Sequence, residues 1–343
     1  MACIQRTLKF LKFSTIFAFA CAVYVVTTAQ SDTMISATYI DQFQSVQQID
    51  YVDFDIDINI GWFVANPTAT EFIIFDNDQT LHRILNNEIV ESWQYITSPD
   101  QLFLVIDGVY FNDMFYILHT VDDTFWINDT QLVIEGFPLA LGNDDNHLYV
   151  EAQVENELIV YQFNADLEIT GDMMIPSDDD APVIRVGRID LPIILQTTFD
   201  GQVTAFVFDE EFGTYDVGEL PTVFGHVNAS TSHFTWSDPN STDLNLLNLL
   251  TGENQVVSSL DNLYAQYYLL THDASLVIAI NVDFEPNMVA WDTETGERYV
   301  LGQYRACERI PDRVKLSADG TTLIVGCDTG LELWKIADET ESD

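Results

Sequence analysis

The chemistry most available to this chain comes from four cations, Arg305, Arg309, Arg313 and Lys315, set within eleven positions. Grouped on one face they would make a patch for an anionic ligand. The plainer reading is that they pair with the surrounding carboxylates and relieve crowding, since surface ion pairs are common and individually weak. Six histidines are scattered at His82, His119, His147, His226, His233 and His272. The nearest two, His226 and His233, are seven apart across an expected turn, which is no metal-ligand spacing. His226 reads as a structural hydrogen-bonding residue. Asp53, Asp55 and Asp57 begin like a calcium-binding EF-hand loop. The glycine that loop needs is replaced by Ile58, and its twelfth position is Val64, so the loop fails. The oxygen-rich stretches 142–146 and 178–180 would suit calcium, although solvated turns share that composition. There is no nucleophile elbow, no HExxH, no phosphate-cradling glycine loop and no CxxC. With 55 acidic residues, a carboxylate pair at glycosidase spacing arises by chance and carries no information.

Charge narrows the partners. The chain has 12 basic and 55 acidic residues, a formal charge of −43. Such a surface repels nucleic acid phosphate and anionic membranes. It favours solubility, or a surface for cations or basic partners. The first 29 residues read as an export signal: Arg6, Lys9 and Lys12 precede an apolar run over 13–26, and Thr27-Thr28-Ala29 offers a cleavage site. An uncleaved anchor is the alternative. Cys21 lacks a good lipobox before it, and no later run is long and apolar enough to cross a bilayer. The expected layout is a signal peptide over 1–29, one domain over 30–337 and an acidic tail over 338–343. Three sequons, at Asn128, Asn228 and Asn240, would matter only in a eukaryotic secretory pathway.

The elements that must position these groups are strands. Residues 35–43 alternate apolar and polar, as do 53–60. From Trp62 a plan repeats, in which short apolar strands are separated by Asp-, Asn- and Gly-bearing turns. The expected third strands of the repeats start near Thr80, Thr124, Glu157, Gln202, Leu244, Asn287 and Leu331. Successive differences are 44, 33, 45, 42, 43 and 44. Five of the six fall in the roughly 40–45 residue period of a four-stranded propeller blade. No long helical periodicity competes.

Particular residues sharpen that rhythm. Trp291-Asp292 forms a WD dipeptide, followed by Thr295-Gly296-Glu297, and Thr251-Gly252-Glu253 repeats that turn 44 residues earlier. Gly225-His226 matches a GH dipeptide, and Ser317-Ala318-Asp319-Gly320 matches a common first turn. On these residues the chain resembles the WD-repeat β-propellers, in detail over its last third and in rhythm over most of the rest. The resemblance implies an all-β, seven-bladed β-propeller, with six or eight blades as alternatives. In that family the last blade often takes one strand from the other end of the chain, which here would be 35–43. The resemblance also brings Cys307 and Cys327 to one face as a candidate disulfide, against two unrelated buried thiols. Its functional implication is an exported, extracellular or periplasmic, monomeric module without catalysis that binds a protein or glycan partner through loops on one face. The alternative is a propeller enzyme, a glycan hydrolase or lyase with carboxylates or calcium in the central channel. A third is a calcium-stabilised envelope protein.

Overall fold

The computed structural model describes residues 33–54, 56, 62–95, 101, 103–143, 146–155, 157–175, 184–188, 193–197, 202–207, 213–219, 228–230, 233–237, 243–248, 251, 253–259, 265–282, 285, 287–307, 311 and 313–337. The predicted signal peptide and acidic tail lie outside them. The described chain is all-β, built of four-stranded antiparallel sheets consistent with a β-propeller.

Strand β1 (Phe43–Asp50) comes first and belongs to the last sheet. The first sheet is β2 (Phe63–Ala65), β3 (Glu71–Phe75), β4 (Leu81–Leu85) and β5 (Glu88–Trp93). The second is β6 (Phe103–Phe111), β7 (Met114–Val121), β8 (Thr124–Ile127) and β9 (Thr130–Gln131). The third is β10 (Phe137–Asn143), β11 (Leu148–Val154), β12 (Glu157–Phe163) and β13 (Ile169–Ile175). The fourth is β14 (Ile184–Arg188), β15 (Ile193–Thr197), β16 (Gln202–Val207) and β17 (Gly213–Glu219). The fifth is β18 (Asn228–Ser230), β19 (His233–Ser237), β20 (Asp243–Asn248) and β21 (Asn254–Ser259). The sixth is β22 (Tyr267–Leu270), β23 (Leu276–Ile280), β24 (Asn287–Asp292) and β25 (Arg298–Gln303). The seventh is β26 (Arg313–Leu316), β27 (Thr322–Gly326) and β28 (Gly330–Ile336), with β1 beside β28.

Turn chemistry sets the registers. Three hairpins turn on residue pairs with both φ values positive: Asn86-Asn87 (52° and 62°), Asn112-Asp113 (47° and 60°) and Asp122-Asp123 (49° and 63°). Asn and Asp tolerate that region, and its twist matches that of paired strands. The sixth and seventh sheets share a first turn. Asp273 Oδ1 accepts from Thr271 Oγ1 and Ser275 N, and Asp319 Oδ1 accepts from Ser317 Oγ and Thr321 N. Asp292 Oδ1 likewise accepts from the Glu294 and Thr295 amides, and Asn248 Oδ1 from Thr251 N.

Each strand pleat sends alternate side chains to opposite faces, and the described apolar side chains pack between neighbouring sheets. Trp62, just before β2, and Ile73 and Leu81 of the first sheet meet Phe103 and Ile117 of the second. Leu118 and Ile127 of the second meet Leu148 and Val150 of the third. Leu244 and Val257 of the fifth meet Val277 and Trp291 of the sixth. In β27, Leu323 and Val325 pack with Ile278 and Met288 of the sixth sheet, while Ile324 packs with Phe72 and Ile74 of the first. The seventh sheet therefore touches both the sixth and the first. That two-sided burial explains why β27 and β23 read as unbroken apolar runs.

One expectation is corrected, and a second falls mostly outside the described residues. Residues 35–43 are not the closing strand. Ala37–Gln42 is a short 3-10 helix, and the strand beside β28 is Phe43–Asp50. Ile35 and Ile40 are instead plugs in the core under the sixth and seventh sheets. The alternating run over 53–60 starts inside another 3-10 turn, Tyr51–Phe54. Of the remainder only Ile56 is described, and it is buried.

The β1–β28 contact gives a direct test. A Cβ added at Gly330 would sit 2.3 Å from the Ile49 carbonyl oxygen of β1, whereas one at Gly171 would meet only the end of Gln162 at 3.6 Å. Gly330→Ala should cost about 1–3 kcal/mol, as overpacking does. Gly171→Ala should be near neutral in the same denaturant titration.

Candidate functional site

Arg313 opens β26 and Asp107 lies mid-way along β6, 206 positions away. The β6–β7 register shifts between Val105 and Asp107, a bulge of the kind that re-aims a side chain. Arg313 Nη2 donates to Asp107 Oδ1 at 2.9 Å. The same oxygen accepts from Gly108 N at 2.9 Å, and Oδ2 accepts from Leu141 N of β10 at 3.2 Å. The guanidinium also lies over Trp62 and Phe63, with its carbon 5.6 and 5.9 Å from the two ring centroids. One ion pair thus links the first strands of the seventh, first, second and third sheets. Burial alone would raise the Asp107 pKa; the charges of Arg313 and Lys315, with the hydrogen bonds from Arg313 and Gly108, outweigh it and hold the carboxylate below its usual range. Arg313 is 21 % exposed and Asp107 19 %, so the pair is only partly shielded from water.

Three of the four cations are described. Arg313 is taken by Asp107, and Lys315 is half-buried two positions along the same strand, its charge acting on that carboxylate. Arg305 is exposed, with its backbone N–H, like that of Ala306, donating to the buried Glu332 carboxylate. Arg309 lies outside the described residues. Cys307 and Cys327 are joined in a disulfide with Cα atoms 5.5 Å apart, tying the β25–β26 connection to the end of β27. Closing so short a loop removes about 3 kcal/mol of unfolded-chain entropy.

The histidines divide. His119 is buried, stacked on Tyr95 at 4.1 Å between ring centroids, with Nε2 against the Asn128 carbonyl at 2.9 Å. Burial pushes its pKa down to about 4, against smaller opposing effects of Asn128 and Asp129. His233 Nε2 meets Asn248 Nδ2 at 3.2 Å, and burial lowers its pKa. His272 lies under Gly320, and His147 is 6.2 Å from the Tyr149 ring centre. His82 sits between Asp76 and Ser92. His226 is outside the described residues, and among the described residues no three His, Cys, Asp or Glu side chains group to hold a metal. The Asn128 side chain is engaged on both sides, with Nδ2 donating to Phe115 O and Oδ1 accepting from Ile117 N. Asn240, its loop, residues 178–180 and Asp144-Asp145 fall outside the described residues.

Sequence reasoning missed Asp107 and Trp62, the partners of Arg313, because no local pattern points across such a separation. It also missed Ser92 and Asp76. There a signal existed: the Asn86-Asn87 turn sets the β4–β5 register, and His82 faces Ser92 in it. No family model matches the chain. No curated protein matches it either.

Three outcomes follow from this geometry. Asp107→Asn and Arg313→Met should each destabilise the fold, and their double-mutant cycle should show a coupling of about 0.5–3 kcal/mol. Thiol labelling of the unfolded, unreduced chain, read by peptide, should find no free thiol at Cys307 or Cys327. His119 is held neutral by the fold, so its contribution is complete above the unfolded pKa of 6.5 and is lost as pH falls towards 4. About 3 kcal/mol should disappear over that window in denaturant titrations, and His119→Phe should remove that part of the pH slope.

Proposed function

We propose that the chain is an exported, seven-bladed β-propeller of WD-repeat type that works as a binding or scaffold module through loops on one face. The carrying observation is the seventh sheet, which takes its outer strand from the N-terminal part of the chain and packs on the first sheet. A series of two-faced sheets whose last member covers its first is what a closed ring requires. The shared Asp-centred turns and the buried Trp291 before Asp292 support the WD-repeat reading. The basic-then-apolar leader over residues 1–29 supports export. In this reading the turns after each second strand and the connections between sheets share one rim, which includes Asp122-Asp123 and the disulfide-tied connection. The second-strand turns carry Asp76, Asp78, Asp122, Asp123 and Asp328, which suits a protein or glycan partner bearing cationic groups. No helix among the described residues is long and apolar enough to cross a membrane.

The test is capture from the native medium on immobilised protein starting at residue 30, with calcium and with EDTA. A partner held by the wild type and lost with Asp122→Asn/Asp123→Asn, which removes both charges but suits the positive φ values of this turn, at near-unchanged melting temperature, is expected. A partner held equally by both proteins, or turnover of a glycan panel without retention, would overturn the reading.

A further inference from the structure

We propose that Ser92, His82 and Asp76 form an acyl-transfer site on the outer strand of the first sheet, acting on small, unhindered carboxylic esters. The proposal goes beyond the binding reading and is tested at other residues, so either can fail alone.

The three side chains form one hydrogen-bonded relay. His82 Nε2 lies 2.8 Å from Asp76 Oδ2, and His82 Nδ1 lies 2.8 Å from Ser92 Oγ. Proton placement follows from donor and acceptor capacity. An ionised carboxylate only accepts, so in the neutral form of the ring Nε2 carries the proton and Nδ1 is the acceptor for the serine hydroxyl. Ser92 therefore donates to a base, which is how a serine nucleophile is prepared. The relay is held rigidly. Asp76 Oδ1 accepts from Thr80 N at 2.8 Å within the β3–β4 turn, which leaves Oδ2 for the imidazole. His82 and Ser92 are direct partners in the β4–β5 ladder. Exposure rises along the relay: Asp76 is 9 % exposed, His82 12 %, and Ser92 opens to solvent. The orienting acid is sheltered and the nucleophile can be reached.

The surroundings suit an ester. Arg83 pairs with Glu91 and Ile84 with Ile89, so Val90 is the extra residue of a bulge two positions before Ser92. Val90 is half exposed and offers apolar contact to a short acyl chain. The strand is the last of its sheet, so the N–H groups on its outer side have no ladder partner there and can donate to a developing oxyanion. In the reaction, Ser92 Oγ bonds to the ester carbonyl carbon as its proton passes to His82 Nδ1. The carbon–alkoxide bond breaks, and the leaving alcohol takes that proton. Water then attacks the acyl-serine, gives its proton to Nδ1, and releases the acid as the proton returns to Oγ.

The full mature chain is treated with a biotinylated fluorophosphonate and mapped by peptide mass spectrometry; hydrolysis of p-nitrophenyl acetate is followed in parallel. The expected result is an adduct on Ser92, absent in Ser92→Ala, with ester hydrolysis reduced about 100-fold or more in His82→Gln. Both variants should melt within a few degrees of the wild type, because Ser92 is exposed and His82 lies at the margin of the core. No adduct on Ser92 beside a labelled serine hydrolase control would overturn the proposal. So would equal labelling of wild type and His82→Gln.

Discussion

The backbone ladder between β1 and β28 is the constraint on which the other sheets depend. It pairs Phe43 with Ile336 at one end and Asp50 with Gly330 at the other. Each sheet is four strands wide, and the first, second, sixth and seventh carry apolar side chains into two cores or two neighbours, so an isolated one would leave apolar faces wet. Within the run from fifth to seventh and from first to third, each described sheet has a neighbour for its apolar side chains. The seventh sheet would be three strands wide without β1, and Ile49 and Phe43 would leave the two cores they enter. Loop-closure entropy grows only slowly with chain length, so joining strands from opposite ends is affordable once the ladder forms. Arg313 and Asp107 reinforce the same joint from the first strands.

Much of this organisation was legible because second strands such as β3, β11, β23 and β27 are buried almost throughout and carry strong apolar runs, and Asp- and Asn-bearing turns mark where the third strands begin. The observed third strands begin at Leu81, Thr124, Glu157, Gln202, Asp243, Asn287 and Gly330, each within one residue of the sequence expectation. The short interval between Thr124 and Glu157 has a structural cause, since β8 has four residues and β9 only two. The outer strands were harder. In β1 only Phe43 and Ile49 are buried among eight residues, so its sequence, FQSVQQID, has no apolar alternation to read. The alternation at Ile35, Ala37 and Tyr39 is real but local; a 3-10 turn places Ile35 and Ile40 inward without a ladder.

Site residues were legible only where they were near in sequence or paired by a turn. The cluster of cations was visible, but its meaning depends on Asp107, which reaches Arg313 through a bulge in a strand of another sheet. The relay of Asp76, His82 and Ser92 spans 17 positions in one sheet, and seeing it requires the register, since the residue types alone are common. The stacking of Tyr95 on His119 joins two sheets and has no signature in composition.

Hydrogen–deuterium exchange of the amides over residues 43–50 tests the joint most directly. Ladder amides exchange through cooperative opening, so the β1 amides bonded to β28 should exchange at the rate of residues 330–336, while its outward amides exchange faster. The account predicts that the inward amides of residues 43–50 are as protected as those of 330–336 under native conditions. Free-peptide exchange over 43–50 beside protected amides over 330–336 would contradict it.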